Sequence, residues 1–145
     1  MEVSEFMNKN VKIVTSDTKI KDAAQILLEK KIGSVVVVDK EEISGIVTER
    51  DVIKVFTKEI TRNDPVSKIM TKKVIAIEPA TDIIEAIDIM AEHSIKKIIV
   101  VEEGQLIGIV TATDILKNID ESNKELLYRL AEVYSSMGDS EPVAG

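Results

Sequence analysis

GIVTERD at residues 45–51 returns as GIVTATD at residues 108–114, 63 positions further on (108 minus 45). The same offset holds on both sides of this stretch. VSEFMNKNVKIV from Val3 meets VSKIMTKKVIAI from Val66, and KIKDAAQILLEKKIGSVVVVD from Lys19 meets DIIEAIDIMAEHSIKKIIVVE from Asp82. Residues 3–56 therefore overlie residues 66–119 without a gap, and apolar positions match almost throughout, the mark of two copies of one supersecondary unit. Two copies are too few for a solenoid, so a closed pair is expected, each copy covering the face the other cannot bury alone. Such a pair has pseudo-twofold symmetry and two equivalent clefts between its halves.

Periodicity within a copy gives the order of elements. VKIV at 11–14 is extended, and Thr18 or Asp17 is placed to cap a helix carrying Ile20, Ala23, Ala24, Ile26, Leu27 and Leu28 at helical spacing. The β-branched run Val35–Val38 reads as a buried strand, Asp39-Lys-Glu-Glu as a turn, and Ile43–Val47 as an antiparallel partner. Thr48 opens a second helix through Val52, Ile53, Val55 and Phe56. The unit is β-α-β-β-α, repeated at 74–77, 81–93, 98–101, 106–110 and 112–119, and the fold class is α+β. The polar linker 57–65 ends in Asp64-Pro65, a turn signal, so the copies are expected to pack rigidly together. Residues 120–145 lie outside the repeat. They offer a helix with Leu126, Leu127, Leu130, Val133 and Tyr134, placed to cap an edge or pair with a second subunit, and a frayed tail, GDSEPVAG.

Composition excludes several functions. A net charge of −7 with no basic stripe speaks against nucleic acid. The chain has no apolar run of membrane-spanning length and no apolar signal core in MEVSEFMNKN, so a cytoplasmic protein without a membrane anchor is expected. Without cysteine there is neither disulfide nor thiolate metal site, and the single histidine, His93, falls at a helical surface position.

The chemistry concentrates in the two Thr-x-x-Asp corners, Thr48 to Asp51 and Thr111 to Asp114. Each puts a hydroxyl and a carboxylate where a strand enters a helix, beside free N–H groups at the positive end of the helix dipole. Asp can accept from ribose hydroxyls there while backbone and nearby cations hold phosphate. The same spacing also makes a capping box that does no more than start the helix. Both readings stay open on spacing alone.

The V-S-x-x-M start, the element order, the V-V-V-V-D strand and the G-I-V-T-x-x-D close, twice and in order, resemble cystathionine-β-synthase (CBS) domains, and the tandem resembles a Bateman module. The resemblance implies a regulatory module that binds AMP, ADP, ATP or S-adenosylmethionine in its clefts and signals to an effector protein. Carried over by motif, one cleft would set Asp114 on the ribose and Thr111 near the ribose or α-phosphate. Thr113, Lys96 and Lys97 lie beside them, and Met7, Lys12 and Ile32, Gly33 and Ser34 would close the adenine side. The other would use Thr48, Arg50 and Asp51, closed by Met70, Ile75 and Ile95. Gly33 and Ser34 stand where the second copy has Lys96 and Lys97, so the clefts are expected to differ in affinity. A magnesium ion could arrive with a nucleotide, but no catalytic cofactor is implied.

No cysteine nucleophile, Ser-His-Asp set or paired metal ligands support an enzyme, and none is expected. The alternative to a ligand sensor is a structural or interaction dimer with non-binding pockets. Ile83, Ile84, Ile87 and Ile89 spread over more than one helix side, which predicts a homodimer with buried helices, like the disc-shaped dimers of the family.

Overall fold

The structure is a computed structural model that describes residues 1–138; the tail from 139 onward, which includes most of GDSEPVAG, lies outside the described residues. The chain forms an α+β fold with two three-stranded sheets. In the first repeat β1 (Ile13–Val14), α1 (Ile20–Lys30), β2 (Ser34–Asp39), β3 (Glu42–Thr48) and α2 (Glu49–Ile53) follow in order. The second repeat gives β4 (Ala76–Ile77), α3 (Ile83–His93), β5 (Lys97–Glu102), β6 (Gln105–Thr111) and α4 (Ala112–Asn118), and α5 (Lys124–Gly138) closes the chain. Each sheet joins a parallel pair to an antiparallel hairpin, in the orders β1-β2-β3 and β4-β5-β6.

The repeat extends to backbone detail. Lys31 and Ser94 take the left-handed conformation that ends α1 and α3. The hairpin turns carry positive φ at Lys40 and Glu41 in one copy and at Glu103 and Gly104 in the other. Register slips by one residue after Val37 and again after Val100. α2 is shorter than expected: after Ile53 the chain tightens into a 3₁₀ turn, Lys54–Phe56.

The two compact units do not coincide with the two sequence repeats. One comprises Val11–Val74; the other combines Met1–Asn10 with the chain from Ile75 onward. Each repeat's leading segment therefore serves the other repeat's sheet. Asn8 exchanges two backbone hydrogen bonds with Ile109, at 2.8 and 3.0 Å, and Thr71 does the same with Ile46, at 2.9 and 3.0 Å. These straps explain the glycines. A methyl group at Gly45 would stand 2.7 Å from the Thr71 carbonyl oxygen, and one at Gly108 would stand 2.9 Å from Met7 Sδ and 3.1 Å from the Asn8 carbonyl oxygen.

Neither Thr18 nor Asp17 caps α1. Both side chains bond back to Thr15, and the first amides of the helix, Ile20 and Lys21, donate instead to the carbonyls of Asp64 and Arg62. The linker's turn is what presents these carbonyls, with Thr61 N–H donating to the Asp64 carboxylate. In α3, Asp82 does cap, accepting from Ile84 N–H.

Two cores result. In the Val11–Val74 unit, Ile20, Ala23 and Leu27 pack on Val35, Val37 and Val47, joined by Val66 and Ile69 of the strap segment. In the other unit Ile83, Ile87 and Met90 share one core with Leu126, Leu130 and Val133 of α5, and Val3 enters from the strap segment. The second apolar side of α3, which pointed to a partner molecule, is thus covered by the chain's own last helix. Arg129 secures that contact with Asp88 through bonds of 2.7 and 3.0 Å.

Candidate ligand-binding site

Both corners form where the outer strand of a hairpin runs into a short helix. In the Val11–Val74 unit Thr48 pairs with Ser34 across the hairpin, and in the other unit Thr111 pairs with Lys97. Ala112 N–H donates to the Lys96 carbonyl at 2.9 Å, and Ile99 N–H to the Ile75 carbonyl at 3.1 Å. Ile75, Ile95, Lys96 and Lys97 thus accompany Thr111, Thr113 and Asp114. By the same geometry Lys12, whose carbonyl accepts from Val36 N–H at 2.9 Å, joins Ile32, Gly33 and Ser34 beside Thr48, Arg50 and Asp51. Lys96, Lys97 and Thr113 group with Thr111 and Asp114 as motif carry-over expected, whereas it had assigned Ile75 and Ile95 to the Thr48 corner, and Lys12, Ile32, Gly33 and Ser34 to the Thr111 corner, as the residues that close the adenine side. Met7 beside Gly108 and Met70 beside Gly45 fall in the same units as Thr111 and Thr48 respectively.

The two corners are chemically unequal. At the first, Asp51 is 4% exposed and its carboxylate is saturated. It accepts from Thr48 N–H at 2.9 Å, Thr48 Oγ1 at 3.2 Å, Lys54 Nζ at 2.8 Å and Thr71 Oγ1 at 3.3 Å. With Asp51 N–H donating to Thr48 Oγ1, the capping box is complete. At the second corner only half of the box forms: Asp114 N–H donates to Thr111 Oγ1 at 3.0 Å. The half-buried Asp114 carboxylate accepts no hydrogen bond among the described residues.

The position matching Thr71 is Asn8 (71 minus 63), whose amide oxygen is turned to its own segment, accepting from Asn10 N–H at 2.8 Å. That difference was available in the sequence as Thr against Asn in otherwise matching straps, yet its meaning depends on the strap crossing the sheet. A second contribution lies outside the repeat altogether. Tyr134 of α5 stands under Lys96, with Nζ 5.7 Å from the ring centroid, and its hydroxyl is 3.2 Å from Thr113 Oγ1. Arg50 is exposed, without an ion-pair partner among the described residues, in a first helical turn where a cation is disfavoured. His93 Nδ1 lies 3.0 Å from the Ile89 carbonyl oxygen. Among the described residues no helix is long and apolar enough to cross a membrane.

The model of the CBS domain matches the chain twice, over residues 3–58 and 66–121. The chain belongs to the CBS-domain family. An uncharacterised 17.7 kDa protein of Acidianus ambivalens is 31% identical over 146 residues, covering 99% of this chain and 88% of that protein. Two other relatives are longer. The chain spans 41% of the Methanocaldococcus jannaschii protein MJ1225, at 31% identity, and 24% of the inosine-5′-monophosphate dehydrogenase of Nitrosopumilus maritimus, at 34% identity. Among solved structures, a conserved protein from Pyrococcus horikoshii shares 32% identity with a TM-score of 0.74, covering 80% of this chain and 89% of that one. The CBS domain pair of protein MJ0100, solved with 5′-methylthioadenosine and S-adenosyl-L-methionine, shares 26% identity with a TM-score of 0.74, covering 81% of this chain and 98% of that one.

Proposed function

We propose that this CBS pair is a non-catalytic regulatory module whose second-repeat corner binds an adenosine-containing ligand: AMP, ADP, ATP or S-adenosylmethionine. The observation that carries the reading is the uncommitted Asp114 carboxylate at the first turn of α4. Two vicinal ribose hydroxyls are donors that a carboxylate accepts in charge-assisted bonds, and Thr111 lies one helical turn behind it. Lys96 supplies a cation for an anionic group, and the half-buried Ile75 and Ile95 supply apolar surface for a purine. The MJ0100 pair, with its two adenosine-containing ligands, supports this ligand class. Asp51, already holding Lys54 and Thr71, serves the first repeat mainly as a helix cap, so the corners differ in affinity. The module acts as a homodimer, in the cytoplasm, and reports ligand occupancy to an effector protein by binding one conformation more tightly than another.

Calorimetric titration with the four ligands tests this. Saturable binding that disappears in Asp114→Ala and persists in Asp51→Ala is the expected result. A folded protein that binds none of them would leave both Thr-x-x-Asp corners as helix caps and favour an interaction protein with non-binding pockets.

A further inference from the structure

The last helix brings a side chain from outside the repeat to one corner and not to the other. Tyr134 is half-buried against the core of its unit and meets two corner residues at once. The exposed Lys96 ammonium lies 5.7 Å from its ring centroid, and its hydroxyl is 3.2 Å from Thr113 Oγ1. The matching positions of the first repeat are Gly33 (96 minus 63) and Arg50 (113 minus 63), which offer neither an ammonium for a ring nor a hydroxyl for a phenol. The body of α5 is held independently, by Leu126, Leu130 and Val133 in the core and by the Arg129–Asp88 pair. A pull on Lys96 can therefore act on the Tyr134 turn without undoing the helix.

We propose that Tyr134 is a specificity-determining positioning residue: through Lys96 it makes the Asp114 corner respond differently to adenosine ligands with and without an anionic group. The inference rests on the ligand-binding reading of that corner and names the part of the ligand that α5 senses. Base and ribose are common to both kinds of ligand, so their contacts cancel in the comparison and the phosphate is the difference. Attraction between two full charges exceeds that between a cation and a ring face, so a phosphate within reach draws Lys96 off Tyr134. The lost cation–π contact is then subtracted from the affinity of the anionic ligand alone. By reciprocity the anionic ligand loosens the Tyr134 turn by the same factor, while a neutral one leaves it closed. The end of α5 is thus a latch that tells a nucleotide from a nucleoside, and it exists at the second corner only.

Calorimetric titration of the full chain with AMP and with adenosine tests this. Tyr134→Ala should tighten AMP binding about two- to fivefold, the scale of an exposed cation–π contact expressed as an affinity ratio, and leave adenosine unchanged. A merely structural role would weaken both ligands together. Tyr134→Phe keeps the ring and should keep the wild-type ratio of the two affinities. Lys96→Ala should lower AMP affinity, and adding Tyr134→Ala to it should change nothing further. Amide hydrogen exchange reads the reciprocal effect: AMP should speed exchange at residues 134–136 by the same factor, and adenosine should not. A ratio that Tyr134→Ala leaves unchanged, or shifts equally without Lys96, would overturn the latch and leave the ligand reading standing. Equal weakening of both ligands would also overturn it, reducing Tyr134 to a packing contact. A folded wild type that binds neither ligand would overturn the ligand reading, and the latch with it.

Discussion

Lys96 Nζ lies over the ring of Tyr134, 5.7 Å from its centroid, and so couples a cation of the proposed ligand corner to the last helix of the chain. An anionic ligand group would compete with the ring for this ammonium. The chain has no tryptophan and two tyrosines, so tyrosine emission is the natural reporter. Titration with an adenine nucleotide should change it in the wild type and in Tyr128→Phe, and leave it unchanged in Tyr134→Phe. Tyr134→Ala should also cost about 0.5–1 kcal/mol of stability in urea unfolding, the scale of an exposed cation–π contact.

The two aspartates separate by what their removal does to the fold. Asp51→Ala takes away a complete capping box and strands Lys54, and should destabilise by about 2–3 kcal/mol. Asp114→Ala, which breaks no side-chain bond among the described residues, should change stability by less than about 0.5 kcal/mol. Chemical denaturation of the two variants, run beside the binding titration, checks whether stability and ligand affinity are divided between the corners in this way.

Glycine substitutions distinguish a rigid neighbour from a yielding one. Gly45→Ala drives a methyl against the Thr71 carbonyl oxygen, a backbone atom that accepts from Ile46 N–H in a residue whose own N–H bonds back to Ile46. Gly108→Ala meets Met7 Sδ first, and a thioether side chain can swing aside. Gly45→Ala should cost about 1–3 kcal/mol, and Gly108→Ala clearly less, by thermal or urea unfolding.

Acid sensitivity has a local source in Asp39. Its carboxylate accepts from Ser16 N–H at 2.9 Å, Ser44 Oγ at 2.6 Å and Ser16 Oγ at 3.0 Å, and these bonds hold its pKa below the ordinary aspartate value. A group depressed in the folded state stabilises fully above its unfolded pKa and loses that contribution as pH falls through the folded value. Asp39→Asn should therefore flatten the acid side of the stability profile while leaving its slope near neutrality unchanged.

The architecture was legible because both of its periods are short-range. Four consecutive valines at 35–38 and their counterparts mark buried strands, and a 63-residue shift that opens no gap makes every element appear twice. The unreadable parts depend on which segments meet in space. The cap of α1 consists of backbone carbonyls at Arg62 and Asp64, and carbonyls carry no sequence signal. Thr71 bonds to Asp51 only because its strap crosses β3, and Tyr134 reaches Lys96 only because α5 folds back onto α3. The sequence showed a difference in cations, Gly33 and Ser34 against Lys96 and Lys97, but not these neighbours, which lie 20 residues from Asp51 and 21 from Thr113 (71 minus 51, and 134 minus 113).

The strap exchange also bears on how such a gene can arise. A chain encoding one repeat would carry a leading segment with no sheet of its own to join, and a sheet with an open outer edge. Two such molecules would satisfy each other by trading leading segments, which is domain swapping between separate subunits. Tandem duplication then turns a concentration-dependent encounter into an intramolecular one, at the cost only of a nine-residue connection, 57–65. Cutting the present gene between its repeats should therefore return two halves that regain structure only when expressed together.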